Sequence, residues 1–238
     1  MTVGDDIDVE RANWRFRGDV VDKFDEHVAK SVPLYHEGHE LVCSLSDYFV
    51  KDDSTCYEIG CSTGTLTLRL AAHNRHKEGA RFIGIDCEED MIEQANQKQK
   101  ALEISNASFA VDDVVSAELE SCDLITSYYA IQFIRPSVRQ EVINKIYNSL
   151  QWGGAFLLFE KVRANDARFQ DIMAGLYTEF KLQQGYSAEE IVGKAQSLKG
   201  ILEPFSTQGN IDLLKRAGFV DIIGVAKYVC FEGILAIK

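Results

Sequence analysis

From Thr55 onward the chain alternates short apolar runs with longer amphipathic stretches, and this alternation restricts its fold more than any other feature. TCYEI is followed by GCSTG and TLTLRLAAH, which reads as strand, glycine turn and helix; RFIGID followed by EEDMIEQANQKQKALE repeats strand and helix. SFAVDD and CDLITSYY read as further strands. Pro136 sits in the first turn of the helix SVRQEVINKIYNSL, and GGAFLLFEK reads as a strand after a Gly153-Gly154 turn. Strands separated by helices of this length need crossovers, so they imply βαβ units and a mainly parallel sheet covered on both faces. After the helix IDLLKRAG the chain ends in FVDIIGVAKY and VCFEGILAIK, two β-rich runs with almost no room for a crossover. They are expected to pair as an antiparallel hairpin at the edge of a seven-stranded sheet.

Two stretches depart from the alternation. Residues 19–50 carry apolar positions at helical spacing (Val20, Val21, Phe24, Val28; Leu41, Val42, Leu45, Phe49) around an SVP break, and read as two leading cap helices. Residues 165–208 read as two inserted helices, where Phe169, Ile172, Met173, Leu176 and Phe180 form a stripe expected to be buried core. With three prolines and no low-complexity linker, residues 1–238 are expected to form a single α/β domain.

Composition narrows the function classes. A formal charge of −12 argues against direct binding to nucleic acid, whose phosphates are held mainly by Lys and Arg. The six cysteines form no CxxC pair, a pattern that suits a reducing cytosol. The first twenty residues lack the apolar core of a signal peptide, and no window approaches the ~20 apolar residues of a spanning helix. A cytoplasmic protein without membrane segments is expected.

The strongest chemical signal is Tyr57-Glu58-Ile59-Gly60-Cys61-Ser62-Thr63-Gly64 between a strand and a helix. Glycines there permit positive φ and close approach of a ligand to the backbone. The dinucleotide pattern GxGxxG is not met, because Ser62 occupies the middle glycine position, so NAD is demoted. Asp86 closes RFIGID, 26 residues after Gly60, where a carboxylate can accept both ribose hydroxyl protons. Asp112 and Asp113 close the third strand at the height of an adenine amino group. Each acid alone reads as a helix cap or a solvated turn. Together they describe the S-adenosylmethionine (SAM) site of a class I methyltransferase, with a Rossmann-like sheet.

The segments NWRF, KSVPLY, YEIGCSTG, IDCEEDMIEQ, IQFIRPSVRQEVINKIYNSLQWGGAFLLFEK and EFKLQQGYSAEEI, in this order, resemble the carboxy-S-adenosylmethionine synthase family. That family uses SAM plus prephenate to make carboxy-SAM for tRNA wobble-uridine modification. The resemblance implies cofactor contacts at Tyr35, Gly60, Cys61, Ser62, Asp86, Cys87, Asp113, Val114 and Tyr128, with Cys87 and Tyr128 replacing family asparagines. It also implies a homodimer, to which the apolar cap helices would contribute. The methionine end of SAM is expected against Glu58 to Gly64. The family arginine that clamps the extra carboxylate of carboxy-SAM falls on Ala195, with Lys194 adjacent as a point charge.

The missing clamp favours methyl transfer from SAM to a small-molecule acceptor, with carboxy-SAM synthesis as one alternative and a SAM-rearranging or non-catalytic SAM-binding protein as another. Tyr129, Gln132 and Tyr177, with Lys194 and Ala195, are candidate substrate-pocket residues. No catalytic residue stands out. His36 and His39 lie beside Glu37 and Glu40 without a further metal-ligand set, and read as a solvated helix face. His73 and His76 read as favourable charges at a helix C-terminus. Cys61 reads as a packing residue.

Overall fold

The computed structural model describes residues 19–238; the NWRF segment and the Val20 side chain lie outside the described residues. Two helices, α1 (Asp19–Ser31) and α2 (Tyr35–Ser46), lead into β1 (Thr55–Ile59), α3 (Thr65–His73), β2 (Arg81–Asp86), α4 (Glu89–Ala101), β3 (Ala107–Val111) and β4 (Cys122–Tyr128). A short 3-10 turn (Ile131–Phe133) then precedes α5 (Pro136–Ser149) and β5 (Leu150–Lys161). The remaining elements are α6 (Ala167–Gln183), α7 (Ala188–Ser197), α8 (Thr207–Ala217), β6 (Asp221–Tyr228) and β7 (Phe231–Ile237).

The strands form one seven-stranded sheet in the order β3-β2-β1-β4-β5-β7-β6. Strands β1 to β5 pair in parallel, whereas β7 pairs antiparallel with both β5 and β6. The expected terminal hairpin is present, and its return strand β7 inserts between β5 and β6. Every residue of β1 is buried, as a strand covered by helices on both faces requires. One apolar layer joins α2 and α3 to the sheet through Val42, Leu66, Leu70, Phe82 and Leu157. The other joins α5 and α8 through Ile143, Ile146, Leu213, Leu214 and Phe156.

Two local expectations are corrected. Strand β5 starts at Leu150, and Gly153 with φ +80° lies inside it, opposite a register irregularity between Cys122 and Leu124 of β4. The Gly153 N–H donates to the Lys238 carbonyl at 2.8 Å, so the glycine pair is a kink in a paired strand. The α6 stripe is also reassigned: Phe169, Ile172 and Leu176 are exposed, and Lys181 is the buried residue of the helix. The inward row is Met173, Tyr177 and Lys181, spaced by four, while the more apolar row faces outward.

Candidate active site

Strand β1 lies between β2 and β4, so the chain leaves the sheet in opposite directions on its two sides, and the crevice beyond the carboxyl ends of β1 and β4 is a topological switch point. A cavity of about 1130 Å³ opens there. This reaches the upper end of single-ligand pockets, enough for a nucleoside cofactor beside a second small molecule.

The turn after β1 forms one wall. The N–H groups of Gly60 and Cys61 both donate to the Ile85 carbonyl at 2.8 and 3.0 Å, tying the turn to the end of β2. Gly60 has φ +69°, and a Cβ there would sit 2.3 Å from the Ala130 Cβ. Both the conformation and the space therefore demand glycine. The Asp86 carboxylate accepts from the Ser62 N–H at 2.9 Å and the Glu88 N–H at 3.0 Å. Burial raises its pKa, and these backbone donors oppose the rise. Glu58, on buried β1, accepts from the Thr67 hydroxyl, and desolvation pushes its pKa up to about 8. Cys61 is buried with its thiol held well above the ordinary range by desolvation.

Cys87, Asp113 and Val114 line the same cavity. Cys87 is exposed and Val114 buried, while Asp113 accepts from the Val115 N–H at 2.9 Å, folding its carboxylate into its own turn. Gly64 differs from its neighbours: a Cβ there would meet Phe109 at 2.6 Å and Ala95 at 2.8 Å, so its role is packing of the turn on α4 and β3.

Tyr35 and Tyr128 pack edge to face, and the Tyr128 hydroxyl donates to the Tyr35 carbonyl at 2.8 Å. The two expected helix-face histidines separate. His36 is exposed, but His39 is fully buried between Tyr35 and Tyr128, 4.5 and 4.7 Å from their ring centroids, with neither ring nitrogen hydrogen-bonded. Helix α2 turns that side inward because Tyr35, Val42 and Cys43 lie on it too. Desolvation drops the His39 pKa to about 3. Among the described residues no group of three or more His, Cys, Asp or Glu side chains could hold a metal. His73 faces Asp47 at 3.0 Å.

The far half of the cavity differs in charge. Tyr129, Lys161, Tyr177, Lys181, Lys194 and Ala195 line it. Gln132 is occupied by backbone: its amide nitrogen donates to the Tyr129 carbonyl at 3.0 Å, and its oxygen accepts from the Lys161 N–H at 2.9 Å. It positions the rim residues. The Lys194 ammonium donates to Ser31 at 2.7 Å and touches His27, both on α1, while the Tyr177 hydroxyl donates to the Ser31 carbonyl at 2.9 Å. A capping box between Ser187 and Glu190 starts α7 and so sets the position of Lys194 and Ala195.

Three residues of this arrangement escaped the sequence reading. Asp25 of α1 accepts from Thr63 at 2.7 Å and Thr65 at 3.1 Å and pairs with Lys98, stitching the cap to the glycine turn. Lys161 lies 4.3 Å from the Tyr177 ring centroid and Lys181 lies 4.6 Å from it. The EK pair at the end of β5 and the EFK segment of α6 held the only sequence trace of these lysines, as charges next to apolar runs.

This sheet order, with a glycine turn after the first strand and an acid after the second, is that of the SAM-dependent methyltransferase fold. Residues 57–154 match a family model described as "Methyltransferase domain". The fold is similar to an O-methyltransferase family protein from Burkholderia thailandensis (TM-score 0.66, 15% identity, 94% of this chain and 61% of that one). It is also similar to a SAM-dependent methyltransferase from Aquifex aeolicus (TM-score 0.59, 15% identity, 92% of this chain and 98% of that one).

The sequence is 36% identical to the carboxy-S-adenosyl-L-methionine synthase of Staphylococcus epidermidis over 94% of this chain and 97% of the relative. It is 36% identical to the synthase of Nautilia profundicola, over 94% of each chain. The chain belongs to the carboxy-S-adenosyl-L-methionine synthase family, and it is a SAM-dependent transferase. Among the described residues no helix is long and apolar enough to cross a membrane.

Proposed function

We propose that this enzyme makes carboxy-SAM from SAM and a small carboxylate donor, which the family resemblance gives as prephenate: the donor would give up a carboxylate as CO2 together with its ring hydroxyl and become phenylpyruvate, the methyl carbon of SAM would lose one proton that leaves with the hydroxyl as water, and the C–C bond would form between that carbon and the CO2. One observation carries the reading: the relationship spans nearly the whole of both chains, well beyond the methyltransferase domain. It therefore includes α1, α6 and α7, which wall the second half of the cavity. SAM lies with its methionine end along Glu58 to Ser62, its ribose on Asp86 and its adenine near Asp113 and Val114. Tyr35, Cys87 and Tyr128 complete the cofactor contacts. The carboxylate donor takes the far half, near Tyr129, Tyr177 and Lys194. Orientation supplies the rate, since the two reactants meet in one crevice. The outward row Phe169, Ile172 and Leu176 supports association with a second copy of the chain.

A second reading, methyl transfer to a small acceptor, is favoured by Ala195, which offers no charge where the family has a clamp. Mass spectrometry after incubation with SAM and prephenate tests both. A SAM mass raised by one carboxylate group is expected. S-adenosylhomocysteine appearing in its place would reject carboxy-SAM synthesis in favour of methyl transfer.

A further inference from the structure

The far half of the cavity holds two ammonium groups that no carboxylate neutralises among the described residues. Lys181 is 7% exposed and is the buried residue of a seventeen-residue helix. Lys161 ends β5 and is half-buried. Both flank one ring, that of Tyr177, and Lys161 lies 5.8 Å from the Phe231 ring centroid as well. Neither forms an ion pair or a side-chain hydrogen bond among the described residues. Lys194, by contrast, is engaged with Ser31 and His27.

A buried lysine without a carboxylate is costly to keep charged, and a ring face compensates only part of that cost. The charged groups facing the pair are each other, Arg163 and the Cys230 thiol. Burial raises the pKa of that thiol, so it stays neutral. The cofactor half of the same cavity carries Asp25, Glu58, Asp86 and Asp113. In a chain of charge −12, cations are thus concentrated where the second substrate would sit.

We propose that Lys161 and Lys181 form an anion subsite that takes a carboxylate of a small organic acid, with Tyr177 and Phe231 as its aromatic walls. This deepens the reading of the site given above and rests on it for the location of the cofactor. The pair supplies two point charges, from a helix and a strand end, in the half of the cavity where Ala195 offers none.

Calorimetry on the full chain saturated with S-adenosylhomocysteine tests the subsite with a matched pair of probes, 3-phenylpropanoate and its uncharged amide. The wild type is expected to prefer the acid by at least about tenfold, as one charged hydrogen bond provides. Lys161→Gln and Lys181→Gln should each remove most of that preference and leave S-adenosylhomocysteine affinity within about threefold. Lys161→Met and Lys181→Met, which keep the apolar stem against Tyr177, serve where glutamine disturbs the fold. An acid preference unchanged in the variants, or absent from the wild type, overturns the subsite. A parallel loss of S-adenosylhomocysteine affinity also overturns it, because the ammonium groups would then hold the cofactor's own carboxylate. If the acid preference depends on the lysines but no carboxy-SAM forms from SAM and prephenate, the subsite stands and the proposed reaction falls. Carboxy-SAM formed equally well by the variants rejects the subsite and leaves the reaction.

Discussion

The two halves of the cavity are built by different physics. The half proposed for the cofactor consists of backbone turns at the ends of β1 and β2, held by hydrogen bonds from Gly60, Cys61 and Ser62 to residues of β2. The half proposed for the second substrate consists of side chains from α1, β5, α6 and α7 that meet only after the chain has closed on itself. Asp25, Glu58, Asp86 and Asp113 line the first, and Lys161, Lys181 and Lys194 with the rings of Tyr177 and Phe231 line the second. A rigid backbone cradle suits a cofactor that is always the same.

The sharpest way to break this contrast is at Gly60. In Gly60→Ala the new Cβ meets Ala130, and φ +69° is strained for any side chain. Overpacking costs about 1 to 3 kcal/mol and the left-handed conformation ~1 to 2 kcal/mol more. Denaturant unfolding should show a loss in that range, and SAM titration should show little binding. A variant that melts and binds like the wild type would remove the argument for close backbone approach.

Asp86→Ala comes next. The ribose hydroxyls would lose a charged acceptor worth about 1.5 to 3 kcal/mol, a tenfold to hundredfold loss of SAM affinity by calorimetry. Asp86 also holds the turn through Ser62. The Asp86→Asn variant keeps an acceptor for that N–H and separates the two roles: loss of affinity with unchanged melting assigns the effect to the ribose.

The same contrast explains what was legible in the sequence. The glycine turn, Asp86 and the alternation of strands with helices follow from local periodicity and turn chemistry, which depend on neighbours in the chain. The α6 stripe misled because Phe169, Ile172 and Leu176 satisfy the helical period for a buried face, yet the row that packs inward contains Lys181. A lysine in an amphipathic helix reads as solvent-facing unless the cavity it enters is known. His39 misled for a related reason: acidic neighbours at Glu37 and Glu40 mark one side of α2 as wet, and His39 lies on the other. Asp25 reaches Thr63 and Lys98 across 38 and 73 residues of chain, a separation no local pattern reports.

His39 provides a test of the wall formed by Tyr35 and Tyr128. Its folded pKa of about 3 lies below the ordinary value of 6.5, so below pH 6.5 the unfolded chain binds a proton that the folded one refuses. Stability from this group is complete above 6.5 and falls as the pH drops toward 3, by up to about 1.4 kcal/mol per pH unit. Denaturation of wild type and His39→Phe at pH 7.5 and 5.0 should show a loss of roughly 2 kcal/mol that the variant lacks. Equal acid sensitivity in the two would mean that His39 is protonated in the fold.

The smallest effect concerns Lys181, and it separates the two halves by pH alone. Desolvation, with the neighbouring Lys161 charge, lowers its pKa from 10.5 to about 8. A carboxylate binds the protonated ammonium, so affinity for 3-phenylpropanoate should hold below pH 8 and fall about tenfold per unit above it, through the loss of one proton. The groups facing Lys181 are Lys161, Tyr177 and Cys230, and none supplies a compensating negative charge while the thiol stays protonated. S-adenosylhomocysteine, whose proposed place is at the other end against the backbone turn and Asp86, should bind evenly across the same window. Calorimetry at pH 7, 8 and 9 on wild type and Lys181→Arg reads both. The arginine variant keeps its charge throughout and should flatten the acid profile. A profile that falls equally in both proteins would move the titrating group elsewhere in the substrate half and leave Lys181 as packing for Tyr177.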